Sequence, residues 1–139
     1  MTNENVQDAA AKRLLEVLAE VNRLLRDHAV ELRRSSSVTH AQAYLEAVSY
    51  KNGPVLEGYV DAKLANGDVV CWCLDVRWNQ NSWTVEATLD RKAGDRQETV
   101  AELPTETASD LDAFLGVLKQ VAGELLALRI PEAAIGRRR

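Results

Sequence analysis

The sequence predicts an α+β fold in which a long N-terminal helix and a C-terminal helix pack on one face of an antiparallel meander of three or four strands. Apolar residues recur at helical spacing near both ends of the 139-residue chain, whereas three segments between them alternate apolar and polar residues. A chain of this length is typical of one domain. We therefore expect a single α+β domain over residues 1–130, followed by a flexible basic tail over residues 131–139.

The first element is predicted to be an amphipathic helix over residues 6–33. Its apolar stripe repeats at intervals of four and three residues and consists of Leu14, Leu18, Val21, Leu25, His28 and Leu32. Such a helix is about 42 Å long, which exceeds the length of a ten-residue strand at about 3.3 Å per residue. We expect the excess length to support a homodimer whose seam is formed by Leu14, Val17, Val21, Leu24 and His28.

The segment that follows the helix is less clear. Residues 33–42 read RRSSSVTHAQ and are predicted to form a loop. The pattern of residues 41–50 fits either a short helix or an edge strand, and both alternatives stay open. The sequence Asn-Gly-Pro at residues 52–54 is typical of a turn, so the chain is expected to reverse there.

The register of the three central strands follows from the two turns between them. A two-residue first loop would mix apolar and polar residues on both sheet faces. A three-residue loop over residues 65–67, with Gly67 in the left-handed conformation, aligns the apolar positions instead. At the second turn, a four-residue loop over residues 79–82 places Trp78 opposite Trp83.

With this register the sheet has one apolar and one polar face. The apolar face consists of Val60, Ala62, Leu64, Val70, Trp72, Leu74, Val76, Trp78, Trp83, Val85, Ala87 and Leu89. The polar face is the candidate partner-binding surface and consists of Tyr59, Asp61, Cys71, Cys73, Asp75, Arg77, Glu86, Thr88 and Asp90. Carboxylates share cross-strand rows on that face, Asp75 with Glu86 and Asp61 with Asp90, which is unfavourable without a nearby cation or basic partner.

The remaining elements complete the fold. Residues 91–96 are predicted to form a polar turn, and residues 97–103 a possible fourth strand. The last helix is expected to begin near Thr107 or Ser109, with two aspartates in its first turn, where the helix dipole favours acids. Its apolar face consists of Leu111, Phe114, Leu115, Leu118, Val121, Ala122, Leu125 and Leu128.

The two cysteines, Cys71 and Cys73, point to the same side of one predicted strand, a geometry poorly suited to an intrachain disulfide. Structural zinc sites take four ligands, and only His28 and His40 remain as further soft donors. We therefore expect no metal and no cofactor. Free cysteines agree with a reducing compartment, and the N-terminus lacks the pattern of a secretory signal, so a cytoplasmic location is expected.

Several function classes are disfavoured. The sequence contains no phosphate-binding glycine loop, paired-histidine metal helix or nucleophile elbow, so we expect no catalytic residues and no enzymatic activity. No apolar run approaches the roughly 18 residues of a membrane span. The net charge of −4 comes from residues 35–104, which carry ten acidic and six basic side chains. An acidic sheet is a poor surface for phosphate backbones, so nucleic acid is an unfavoured partner.

The function expected from these features is that of a small non-enzymatic interaction protein. It would act as a cytoplasmic dimer and bind a protein partner through the acidic sheet face or a helix flank, as immunity proteins and secretion chaperones do in general. Two alternatives stay open. The order of long helix, meander and helix resembles that of small nucleoid-associated proteins, which implies a DNA-binding dimer. A small-ligand pocket between the helices and the tryptophan-lined sheet face is the other.

Overall fold

The computed structural model describes residues 3–51 and 53–130, and the side chains from residue 6 onward. The helices and strands of these residues are, in chain order, α1 (Asn3–Arg33), β1 (Val38–Tyr50), β2 (Gly53–Leu64), β3 (Val69–Asn79), β4 (Ser82–Ala93), β5 (Arg96–Glu102), β6 (Glu106–Ala108) and α2 (Leu111–Ala127). The fold is α+β, with both helices packed on one face of an antiparallel sheet. The predicted tail, residues 131–139, lies outside the described residues.

The sheet contains more strands than the sequence pattern predicted. The first five strands are neighbours in chain order, and β6 pairs with β4 beside β5. The possible fourth strand at residues 97–103 is present as β5, but the total of three or four strands was wrong because it left out β1 and β6. Residues 41–50 form the edge strand that was one of the two open alternatives, and this strand, β1, begins already at Val38, inside the predicted loop. Its helix-facing positions include the small residues Ala41 and Ala43. Small side chains give a weak alternation signal, and three-residue β6 is too short to give one.

The loop between β2 and β3 has the predicted length. The Leu64 N–H donates to the Asp68 carbonyl at 2.8 Å. Gly67 has a φ of 93°, in the left-handed region that favours glycine. The three-residue loop is therefore confirmed, and the pairing of Ala62 with Val70 follows from it.

The loop between β3 and β4 is shorter than predicted but keeps the predicted register. Trp78 pairs with Trp83, as expected, and the ladder continues for one further pair, Asn79 with Ser82. Only residues 80–81 remain in the loop. Both have positive φ, 50° and 67°, as a tight two-residue hairpin turn requires.

The two helices divide the inner face of the sheet between them. Helix α1 contacts β1 and β2, α2 contacts β4, β6 and β3, and the helices contact each other. Arg13 forms an ion pair with Asp112, and Glu20 with Lys119 at 3.2 Å, so the helices run side by side in the same direction. Their buried residues join the inner-face residues in one core. No helix of the described residues is both long and apolar enough to span a bilayer.

Trp72 lies at the centre of this core and is 1% exposed. Its indole Nε1 donates to the carbonyl of Leu128, just after α2, at 3.0 Å. The ring of His28 from α1 meets it edge-on, with ring centres 4.8 Å apart. Trp72 therefore connects the sheet to both helices. At the end of β3 the apolar face is less well covered than at Trp72. Trp78, which was predicted on this face, is 40% exposed.

Gly58 allows α1 to approach the sheet closely. It lies on the inner face of β2, paired with Leu45 and Leu74. A Cβ atom at this position would lie 3.1 Å from Leu25 Cδ1 and 3.2 Å from Leu45 Cδ1, tighter than ordinary contact. The space that a side chain at position 58 would occupy is therefore taken by Leu25, which is fully buried.

Candidate protein-binding face

The outer face of the sheet, opposite the helices, brings the predicted surface residues together in cross-strand rows. One row runs from Tyr44 through Tyr59 and Cys73 to Thr88, and the next contains Gln42, Asp61, Cys71 and Asp90. A third row consists of Glu46, Glu57, Asp75 and Glu86, and we call it the carboxylate row. The two predicted carboxylate pairings, Asp75 with Glu86 and Asp61 with Asp90 across Cys71, are confirmed.

The carboxylate row places four acidic side chains on adjacent strands. The sequence pattern does not assign Glu46 and Glu57 to this face, because the alternation of apolar and polar residues becomes clear only from Tyr59 onward. Glu57 is two residues before Tyr59 and therefore shares its face, so extending that strand by one pleat would have found it. The position of Glu46 could not be predicted, because the pattern of residues 41–50 fits either a helix or a strand. Arg77, in the neighbouring row, is the basic residue closest to these carboxylates along β3.

Two tyrosines hold Glu57 in place. The Tyr50 hydroxyl donates to Glu57 Oε1 at 2.8 Å and the Tyr59 hydroxyl donates to Oε2 at 3.0 Å. The ring of Tyr44 packs beside that of Tyr59, with centres 5.0 Å apart. Burial raises the pKa of Tyr59, and the hydrogen bond to Glu57 raises it further. Tyr59 therefore remains a hydrogen-bond donor at physiological pH.

Asp75 lies in the middle of the carboxylate row. Burial raises the pKa of Asp75, Arg77 partly opposes that shift, and Glu57, Glu86 and Asp90 add to it through charge repulsion. The folded chain thus holds the Asp75 proton more tightly than the unfolded chain does. Its ionisation above the ordinary pKa of 3.8 therefore lowers the stability of the fold.

This unfavourable ionisation gives a test by mutation. We expect Asp75→Asn to raise the free energy of unfolding by about 0.5 kcal/mol at pH 7, the size of a cross-strand charge effect. The gain should disappear near pH 3, where Asp75 is protonated and neutral in both states. Urea denaturation at the two pH values measures it. Glu86→Gln, at an exposed position, is the control and should give a smaller gain; a loss of stability for Asp75→Asn at pH 7 would contradict the interpretation.

The two cysteines are free and half-buried at the centre of the outer face. Their Sγ atoms are 3.0 Å apart, and Cys73 Sγ lies 3.7 Å from Asp90 Oδ2. The hydrogen bond with Cys73 raises the pKa of the Cys71 thiol, as do burial and Asp61. Within the described ranges, no three histidine, cysteine, aspartate or glutamate side chains converge as metal ligands.

The residues predicted to form a dimer seam are buried or half-buried within their own chain. Val21 is fully buried in the core of its own chain, so it offers no surface to a second chain. His28 packs on Trp72; burial lowers the pKa of His28, which Glu31 partly opposes. Leu14, Val17 and Leu24 are half-buried. The most exposed large apolar residue of α1 is Leu15, at 66%.

The outer face therefore presents negative charge and hydrogen-bonding groups. Its tyrosine and thiol groups with raised pKa values stay protonated near pH 7 and are poor nucleophiles in that form. Carboxylates crowded in this way gain most from positive groups brought in by another molecule. Comparison of the chain with protein-family models, with curated proteins and with solved structures found no match.

Proposed function

We propose that this chain is a small non-enzymatic interaction module that binds a basic surface of a protein partner through its outer face. The carboxylate row is the observation that supports the proposal. Four carboxylates lie on neighbouring strands, and two of them, Glu57 and Glu86, add to the effect of burial in raising the pKa of the third, Asp75. Lysine or arginine side chains of a partner would relieve this repulsion on binding, which favours association.

The difference between the covered inner face and the uncovered outer face of the sheet also supports this proposal. The inner face is covered by α1 and α2 and forms the core. The outer face combines the acidic residues with exposed aromatic rings, since Tyr44 and Tyr50 are 40% and 50% exposed. Tyrosine is enriched at interfaces because it supplies apolar area with a polar end, and its ring attracts cations. A partner with arginine side chains matches both properties.

We propose in addition that the module acts in the cytoplasm as a dimer. The support lies on the free flank of α1, where Leu15 is exposed beside Ala11 and Ala19, between Lys12 and Glu16. Exposed apolar side chains rimmed by charges of both signs are typical of an interface. Light scattering of the purified chain tests the dimer, and a monomer at all concentrations would contradict it.

The partner proposal is tested by capturing proteins from the native cell extract on immobilised chain. In the test variant, Glu46→Gln, Asp75→Asn and Glu86→Gln together neutralise the carboxylate row but leave Glu57 and its tyrosine hydrogen bonds intact. The control variant removes three exposed helix carboxylates that belong neither to the outer face nor to the proposed dimer flank, through Asp27→Asn, Glu31→Gln and Glu124→Gln. Both variants therefore have the same net charge.

We expect the row variant to retain at least tenfold less of a specific captured partner than the wild-type chain does, and the control to retain it unchanged. Capture by the wild type should fall when salt rises, because partly exposed charge pairs are screened. Equal losses in both variants would show a non-specific charge effect, and equal capture by all three chains would place the interface elsewhere. Either result contradicts the proposal.

A further inference from the structure

We propose that Cys71 and Cys73 form a two-sulfur binding site for a soft, thiophilic ion such as trivalent arsenic. Both thiols lie on the outer face of β3, one pleat apart. Their Sγ atoms are 3.0 Å apart, close enough for one atom to bond to both. Nothing in the proposed partner binding requires this pair of thiols.

The spacing of the sulfur atoms indicates which ions fit. Two thiolates on a tetrahedral zinc ion, with bonds of about 2.3 Å, are about 3.8 Å apart. The pair in β3 is already in contact at 3.0 Å, so it suits an ion that two adjacent sulfurs can satisfy, such as pyramidal trivalent arsenic. Such an ion is satisfied by two sulfurs and one further substituent, so it needs no third protein ligand.

The surroundings of the thiols give independent support. Asp90 Oδ1 is buried without a hydrogen-bond partner among the described residues, while its Oδ2 accepts from Cys73. Asp61 lies on the opposite side, in the same row as Cys71 and Asp90. Buried polar atoms normally have a partner, and this one belongs to a carboxylate whose other oxygen lies 3.7 Å from Cys73 Sγ. An electropositive centre on the sulfurs would lie close to it.

The site is open to reagents because the helices cover the other face. Binding of a trivalent arsenical replaces two As–OH bonds by two As–S bonds, and each thiol proton leaves with a hydroxide as water. The reaction therefore needs no oxidant or reductant. The overall exchange starts from two neutral thiols, the form that the hydrogen bond to Cys73, burial and Asp61 favour by raising the pKa of Cys71.

Phenylarsine oxide is the probe for the test. We expect native mass spectrometry of the folded chain to show one phenylarsenic group per chain, retained against excess monothiol and removed by a small dithiol. Cys71→Ser and Cys73→Ser should each reduce the retained fraction at least tenfold, because an arsenic atom on a single thiol exchanges with monothiol. Serine is nearly isosteric with cysteine, and circular dichroism confirms that both variants are folded.

Three results would overturn the proposal. The first is failure of the folded wild-type chain to retain the probe. The second is equal retention by the wild type and a single-serine variant that is folded. The third is retention by the wild type in urea but not in buffer, since that would show that the native sheet keeps the thiols apart or covered. A serine variant that fails to fold leaves this third comparison in place.

Discussion

Replacing Trp72 by alanine is expected to lower the free energy of unfolding by about 3–5 kcal/mol. The side chain is 1% exposed at the centre of the inner face. Its removal leaves a cavity that the rigid sheet cannot close. It also leaves the Leu128 carbonyl, which accepts a hydrogen bond from the indole at 3.0 Å, without this donor. It also removes the ring against which His28 packs. Urea denaturation followed by circular dichroism measures the loss.

Trp78→Ala is the matched control for this prediction. Trp78 lies on the same strand but is 40% exposed, and its ring contacts that of Trp83 edge-on with centres 4.7 Å apart. An aromatic pair of this kind contributes about 1 kcal/mol, so the loss should be several times smaller than at Trp72. Equal losses at the two positions would show that Trp72 is not central to the core.

Val21→Asp is expected to abolish cooperative folding or to lower the free energy of unfolding by at least about 3 kcal/mol. Val21 is fully buried in the core of its own chain, where an added carboxylate would contact neither water nor a basic side chain. Leu15→Asp adds the same charge to the same helix at a position that is 66% exposed. Circular dichroism should therefore show a folded chain for Leu15→Asp only.

This pair of variants also separates stability from self-association. Loss of a dimer in Val21→Asp would follow from unfolding and carries no information about an interface. Light scattering of Leu15→Asp tests the proposed flank of α1 directly, and we expect a higher monomer fraction than for the wild type. A folded Leu15→Asp chain with an unchanged dimer would contradict this interface, and a fully folded Val21→Asp chain would contradict the assigned core.

Turn chemistry and alternation together were sufficient to predict the register of the central strands. Of a two-residue and a three-residue loop, only the three-residue loop brings the apolar residues of β2 and β3 to the same face, and Gly67 takes the left-handed conformation that this loop needs. The outer-face rows followed because side chains alternate strictly along a strand. For the same reason, the position of Cys71 beside Asp61 and Asp90 was available from the sequence.

The rest depended on contacts between distant parts of the chain. β1 lacks a strong apolar alternation because α1 packs close to it, and small residues such as Ala41 fill its inner positions. The sequence stripe of α1 likewise showed that Val21 is apolar but not which surface covers it. The distance between the two thiols was also inaccessible, because rotation about side-chain bonds moves two sulfurs on one face by ångströms.

The side-by-side course of the two helices has a consequence for the order in which the chain folds. Most strand pairs join neighbours in the sequence, and such local contacts form quickly. The ion pair between Arg13 and Asp112, in contrast, closes a separation of 99 residues. During synthesis, α1 and the hairpins emerge before α2. Until α2 has emerged, the apolar surface on the β4 side of the sheet is uncovered. We therefore expect docking of the last helix to be the late step, and nascent chains that lack it to be the form most prone to aggregation.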